Sequence, residues 1–146
     1  LMSTKIEKIM IATDGTENVK NAVSWGIELA KATGAKVKAV YVLPPVSVSI
    51  ATRGERWADS LRNHLKDEGK SATEYVVDTG NKADVEVEPI IIEGNPADGI
   101  VRFATENGID LIVMGTLGRT GISHLLLGSV AENVVRHSKT QVLVVP

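Results

Sequence analysis

The chain has no cysteine, few aromatic residues, no long apolar run and almost no net charge. Each shortage removes a class of function. Without Cys there is no disulfide framework, no Cys-ligated zinc or iron–sulfur centre and no thiol nucleophile. The same lack fits a cytoplasmic protein. The five aromatics, Trp25, Trp57, Tyr41, Tyr75 and Phe103, leave little on which to stack single-stranded bases. A balance of 16 Lys and Arg against 18 Asp and Glu gives a formal charge of −2, which argues against a broad electrostatic grip on nucleic acid. No stretch approaches the ~18 continuous apolar residues of a membrane span. The start, Leu1-Met2-Ser3-Thr4, is too short and polar for a signal peptide. Leu1 ahead of Met2 reads as an expression scar and is set aside.

What is present suits one domain, residues 1–146, with a single core. Short apolar runs alternate with segments of helical periodicity. Residues 6–12 read as a buried strand, and Asp14-Gly15-Thr16 as a turn. Residues 17–33 read as a helix burying Val19, Ala22, Val23, Gly26, Ile27 and Ala30, stopped by Gly34. Residues 35–43 form the second strand. A long helix is predicted over 55–79, with Trp57, Leu61, Leu65, Ala72 and Val76 on its buried stripe and Gly80-Asn81 at its end. Strands follow at 85–92 and 110–114, separated by a helix over about 97–107 with Pro96 at its first position. Ser129 and Glu132 have capping-box spacing and predict a helix from Ser129 to about Ser138. Gln141–Val145 is the last strand. Five strands alternating with four helices imply an open parallel sheet covered on both faces, with right-handed crossovers. In such sheets a ligand sits at the carboxyl ends of the strands: after Ala12, at Val42-Leu43, at Glu93-Gly94, and from Met114-Gly115 onward.

The segment 115–128 is rich in glycine, and Gly128-Ser129 opens the last helix. Glycines let backbone N–H groups approach an anion, and a helix start adds free donors and a positive dipole end. The same pattern also serves merely to turn a chain, with Ser129 as a cap. Neither G-x-x-x-x-G-K-[ST] nor G-x-G-x-x-G occurs; Gly94 and Gly99 have the first spacing, but Ile100 and Val101 follow.

On these residues the chain resembles the universal stress protein family along essentially its whole length. ATP-binding members carry Gly, two residues, Gly, nine residues, Gly and then Ser or Thr; Gly115, Gly118, Gly128 and Ser129 stand at that spacing. Ala12-Thr13-Asp14 looks like the family's first-strand end, Tyr41-Val42 its second, and Gly94-Asn95-Pro96 its third-strand turn. The resemblance implies a five-stranded sheet of order 3-2-1-4-5, adenine nucleotide α-hydrolase-like, with an ATP site and a homodimer. It implies that Gly115, Gly118, Gly128, Ser129 and Val130 contact phosphates or ribose, largely through backbone. Val42 would hold adenine by its main-chain N–H and C=O, and Asp14 would meet the nucleoside or, less directly, a divalent ion. Ala12, Thr13, Met114, Leu117 and Arg119 complete the expected set. Ala12 stands where some relatives have Pro. Leu117 stands where a polar residue, often His, is frequent, so this position offers backbone contact.

Arg119 reads equally as a phosphate partner or a solvated loop residue. Asp14 reads as a ligand contact or as a cap of its turn. His124 lacks a local nucleophile or orienting carboxylate, His64 and His137 lack metal spacing, and Trp25 and Trp57 are expected in the core. The apolar strand Gln141–Val145, at a sheet edge in this order, is a hazard unless covered; pairing with its own copy would cover it. The leading expectation is an ATP-binding cytoplasmic homodimer with a regulatory or protective role, in which ATP orders 115–128 and any Mg²⁺ or Mn²⁺ is held mainly by the phosphates. It would touch neither nucleic acid nor membrane, while a protein partner stays open. The rivals are a slow ATPase or phosphotransferase, which lacks a Walker lysine and an evident base, a receiver-like phosphoacceptor, which lacks an acidic cluster, and a dimeric module without nucleotide. With so few aromatics, adenine would rest on aliphatic side chains and backbone near Ala12 and Val42, with Tyr41 on the opposite face.

Overall fold

The structure, a computed structural model, describes residues 5–46, 50–117 and 127–146. The strands are β1 (Lys8–Ala12), β2 (Lys36–Leu43), β3 (Val87–Glu93), β4 (Leu111–Gly115) and β5 (Gln141–Val145). The helices are α1 (Lys20–Thr33), α2 (Ile50–Lys82), α3 (Pro96–Glu106) and α4 (Ser129–His137), with one 3₁₀ turn at Glu17–Val19 ahead of α1. All strand pairs are parallel, in the order β3-β2-β1-β4-β5. The expected alternation and strand order both stand.

Burial explains the strand sequences. β1 is central, so Ile9, Met10 and Ile11 are fully buried and its run is continuous rather than alternating. Its side chains still divide by the period of two. Ile9 and Ile11 join one core layer with Ala22, Val23, Ile27 and Ala30 of α1 and Val76 of α2. Met10 and Ala12 join the opposite layer with Ile100 and Ala104 of α3 and Ala131 and Val134 of α4. At the far end of the sheet Asp110 Oδ2 accepts hydrogen bonds from the N–H groups of Glu7 (2.8 Å) and Lys8 (2.9 Å), tying the start of β1 to that of β4.

Helix ends follow the expected chemistry in part. Gly34 caps α1 in the left-handed region at φ 75°. Pro96 opens α3, and Asn95 caps it by accepting from the Asp98 N–H at 3.3 Å. α2 departs from expectation at its end. It runs on through Gly80 to Lys82, because that glycine brings the helix against β3 instead of stopping it. A Cβ on Gly80 would lie 2.4 Å from Val87 Cγ2 and 2.9 Å from the Val85 carbonyl. Gly69 does the same over the Tyr41 ring, 2.7 Å from where its Cβ would be. At the other end, non-helical Gly54 separates the first residues of α2 from the long segment that follows.

The two tryptophans correct a second expectation. Trp25 is 54 % exposed and Trp57 42 %. Trp25 lies on the flank of α1, off the buried stripe. Trp57 lies in the early part of α2, ahead of the buried positions Gly69, Ala72, Thr73 and Val76.

Candidate functional site

The carboxyl ends of β1, β2 and β4 open onto a cavity of about 230 Å³. Its floor is β1 and β2: Ala12 and Val40 are buried and Val42 half-buried. One wall is Pro96 and Ile100 of α3; the other is Met114, Gly115 and Leu117 from the end of β4 with Val130 and Ala131 of α4. Thr13, Asp14 and Val19 form the rim beside β1, and Tyr41 and Pro44 border it along β2.

The phase of the β2 ladder decides what this cavity offers. The Thr13 N–H donates to Val40 O at 3.0 Å, so Val40 points its main-chain groups toward β1. The Gly94 N–H donates to Leu43 O at 2.9 Å, so Leu43 points toward β3. By the alternation of a strand, Val42 faces the β1 side. Yet β1 ends at Ala12, whose register partner is Val40. Val42 therefore presents one N–H donor and one C=O acceptor beyond the last rung, toward an apolar space. The Tyr41 side chain takes the other face, packed with Leu43 and Ala72.

The β4–α4 side supplies further donors. The first helical bond of α4 runs from the Glu132 N–H to Gly128 O at 2.9 Å. The N–H groups of Ser129, Val130 and Ala131 thus precede the helical ladder. Gly128 is the N-cap and no side chain caps this end. The capping-box expectation fails here: Ser129 is the first helical residue, exposed, and Glu132 turns instead to Arg136 at 2.8 Å. Neither glycine here takes the left-handed conformation: Gly128 has φ −62° and Gly115 is the last residue of β4. Nor is Gly115 crowded: a Cβ there would meet nothing nearer than the Asn18 carbonyl at 3.6 Å.

Asp14 shows a turn role. Its Oδ1 accepts from the Thr16 N–H (2.9 Å) and from the Thr16 hydroxyl (2.6 Å). Thr13 Oγ1 accepts from the Gly15 N–H at 3.1 Å. On the far side of this turn lies a second, larger cavity of about 510 Å³, between residues 13–20 and α2. It is polar: Lys20 pairs with Glu17 at 2.9 Å and lies above the Tyr75 ring at 5.2 Å, His64 Nε2 stands 3.2 Å from Glu68, and Asp14 and Asp67 add further carboxylates to its lining.

The sequence model of the universal stress protein family matches residues 5–146. The chain belongs to that family. It is 40 % identical over 139 residues to the universal stress protein MJ0531 of Methanocaldococcus jannaschii, covering 95 % of this chain and 81 % of that one. The solved structure of the hypothetical protein MJ0577 superposes with a TM-score of 0.78 at 31 % identity, over 95 % and 94 % of the two chains. A universal stress protein in complex with cAMP superposes with a TM-score of 0.72 at 27 % identity, over 97 % of each.

Eight of the expected site residues border the small cavity: Ala12, Thr13, Asp14, Val42, Met114, Gly115, Leu117 and Val130. Gly128 and Ser129 stand just ahead of Val130 at the start of α4 without lining it. Gly118 and Arg119 lie outside the described residues, as do His124 and most of the segment expected to become ordered. His64 and His137 are exposed. Sequence reasoning missed Val40, Ile100 and Ala131 as lining residues, and gave Pro96 only as a helix start in the third-strand turn. Among the described residues no group of three His, Asp or Glu side chains is placed to hold a metal ion.

Proposed function

We propose that the small cavity binds an adenine nucleotide, ATP in the cell, and that the protein is a homodimeric regulator or protective factor in a stress response. The observation that carries this is Val42. Its paired donor and acceptor face an apolar slot, matching the acceptor and donor on one edge of adenine. Aliphatic side chains from Ala12, Val40, Ile100 and Met114 would sandwich the base where aromatic residues are scarce. Phosphates would extend toward the uncapped N–H groups of α4, with Gly115 leaving room for close approach. An accompanying Mg²⁺ or Mn²⁺ ion would be held mainly by the phosphates. The related protein that holds cAMP supports the ligand class. A chain without cysteine suits a reducing, cytoplasmic setting.

The dimer reading rests on the two sheet edges. The Thr116 N–H donates to Val145 O at 3.1 Å, so odd residues of β5 face β4, and Val142 and Val144 direct their main-chain groups outward. That edge carries neither charge nor proline. On β3 the same phase reasoning, from the Val37 N–H donating to Glu86 O at 3.0 Å, puts Pro89 at an outward position where no N–H exists, between Glu88 and Glu93. β3 is thus blunted against pairing and β5 is not.

Isothermal titration of ATP, AMP and cAMP against two variants tests the site. Val42→Ala keeps the main-chain pair and should keep affinity within about tenfold, whereas Val42→Pro deletes the donor and should abolish binding. Because that N–H points away from β3, the proline spares the β2–β3 ladder, which circular dichroism checks. Undiminished binding by a folded Val42→Pro protein would overturn the placement.

A further inference from the structure

We propose that one flank of α1, centred on Trp25, is a docking surface for a second copy of this chain, and that Trp25 is buried there against its own counterpart. The inference rests on the homodimer reading above and adds the helical contact that reading lacks.

Two side-chain contacts orient α1. Lys20 reaches over Tyr75 of α2, so that flank of the helix faces α2. On the opposite flank, Asn21 Nδ2 donates to the main-chain oxygen of Pro146 at 2.8 Å, just past β5. Residues four apart share a helix face. Asn21, Trp25 and Leu29 therefore form a row beside the open edge of β5. Leu29 is partly buried against the core layer that also takes Leu143 of β5. Trp25 is 54 % exposed, the largest value among the described large apolar side chains that stand out from the surface. The row itself carries no charge; Glu28, three residues on from Trp25, flanks it on the side away from β5, while Lys20 and Lys31 lie farther round the helix. About a two-fold axis each residue near the axis approaches its own copy, so a charge there would repel itself. A neutral row beside an open apolar edge is self-complementary.

Area selects the occupant. A stable dimer buries ~800 Å² per partner from ~20–30 residues. β5 has five residues, so strand pairing alone falls well short, and flanking helices must add contact. Antiparallel pairing of β5 with its copy would continue the sheet and set α1 on the same face as the partner's α1. A tryptophan can bury roughly 200 Å² and is a common interface anchor.

Sedimentation velocity across a concentration series, on wild type, Trp25→Glu and Val142→Pro, tests this. Val142→Pro removes an outward N–H of β5 without touching the β4 ladder. The expected result is a wild-type dimer, loss of that dimer in Val142→Pro, and a dissociation constant raised on the order of a hundredfold or more in Trp25→Glu. Trp25 is exposed in the single chain, so its variant should keep the wild-type circular dichroism spectrum, and any fall in melting temperature should vanish on dilution, where wild type is also monomeric. A second readout uses Trp57→Phe, in which Trp25 is the sole tryptophan: its emission should move to the red as the dimer is diluted apart. If Val142→Pro dissociates while Trp25→Glu keeps wild-type affinity and the emission stays fixed, the Trp25 surface is wrong and edge pairing stands. If the wild type is dimeric and neither variant matters, or if it is monomeric throughout, both readings fall.

Discussion

Two cavities meet at Thr13, Asp14 and Val19, and they differ in a way that size does not convey. The larger, about 510 Å³, is lined by mostly exposed polar and charged side chains, Lys20 beside Glu17 and His64 beside Glu68 with Asp67 next to them, and acidic groups outnumber its one lysine. The smaller, about 230 Å³, has aliphatic walls and faces main-chain groups that the sheet leaves beyond its last rung. A ligand gains most where it satisfies polar groups in a dry place, since water competes poorly there. It gains less where exposed, solvated charges line the wall, and an anionic ligand gains least where those charges are mostly carboxylates. Binding should follow the chemistry of the wall, not the volume.

The strongest way to break this comparison is to fill each cavity in turn. Ala12→Phe places a ring in the small cavity and should weaken ATP by about a hundredfold or more, with a stability cost of about 1–3 kcal/mol from overpacking. Ser71→Trp fills the larger cavity from the exposed face of α2 and should change affinity less than about threefold, an effect below 1 kcal/mol. Titration calorimetry on both, with melting curves to confirm folding, decides. The reverse ranking would move the site across Asp14.

A sharper cut uses Asp14, which both cavities share. Its Oδ1 holds two donors from Thr16, at 2.9 and 2.6 Å. Asp14→Ala strands both and should cost about 1–2 kcal/mol, a fall of about 3–6 °C in melting temperature for a domain of this size. Asp14→Asn keeps an amide oxygen in the same place and should restore most of that stability. If Asp14→Asn melts like wild type yet binds ATP at least about tenfold more weakly, the carboxylate also serves the ligand. If both variants bind normally, Asp14 is a turn residue alone.

The architecture was legible because each strand–helix alternation is local: apolar runs, Gly34 after α1 and Pro96 before α3 announce themselves in sequence. The floor of the candidate cavity was legible for the same reason, since Ala12 and Val42 lie toward strand ends. Its walls were not. Ile100 and Ala131 have the spacing of any buried helix residue, and only assembly of α3 and α4 around the end of β1 turns them toward the cavity. Gly80 read as a stop because a helix-breaking residue and a close-packing residue are the same residue. Only the position of Val87 tells them apart. Trp25 read as core because large aromatic residues on amphipathic helices commonly are, while its place one flank off the stripe is a matter of angle. Ser129 read as a cap by its spacing to Glu132, but the cap is Gly128 and Ser129 is already the first helical residue.

The smallest effect concerns the larger cavity. Lys20 has its pKa raised above the ordinary 10.5, first by its hydrogen bond to Glu17, then by that carboxylate's charge. Folding therefore favours the protonated lysine. The stabilisation is fully present below the unfolded value and is lost as pH rises through the raised folded value. The melting temperature of wild type should exceed that of Lys20→Met by a small, constant margin from pH 6 to 9. The margin should shrink only in strongly alkaline solution. Because the pair is exposed, salt should shrink it as well. ATP affinity should not follow either change, since Lys20 borders the larger cavity and not the smaller. An affinity that falls in Lys20→Met, or that tracks its titration, would mean that the phosphates reach across Asp14 and that the two cavities work as one.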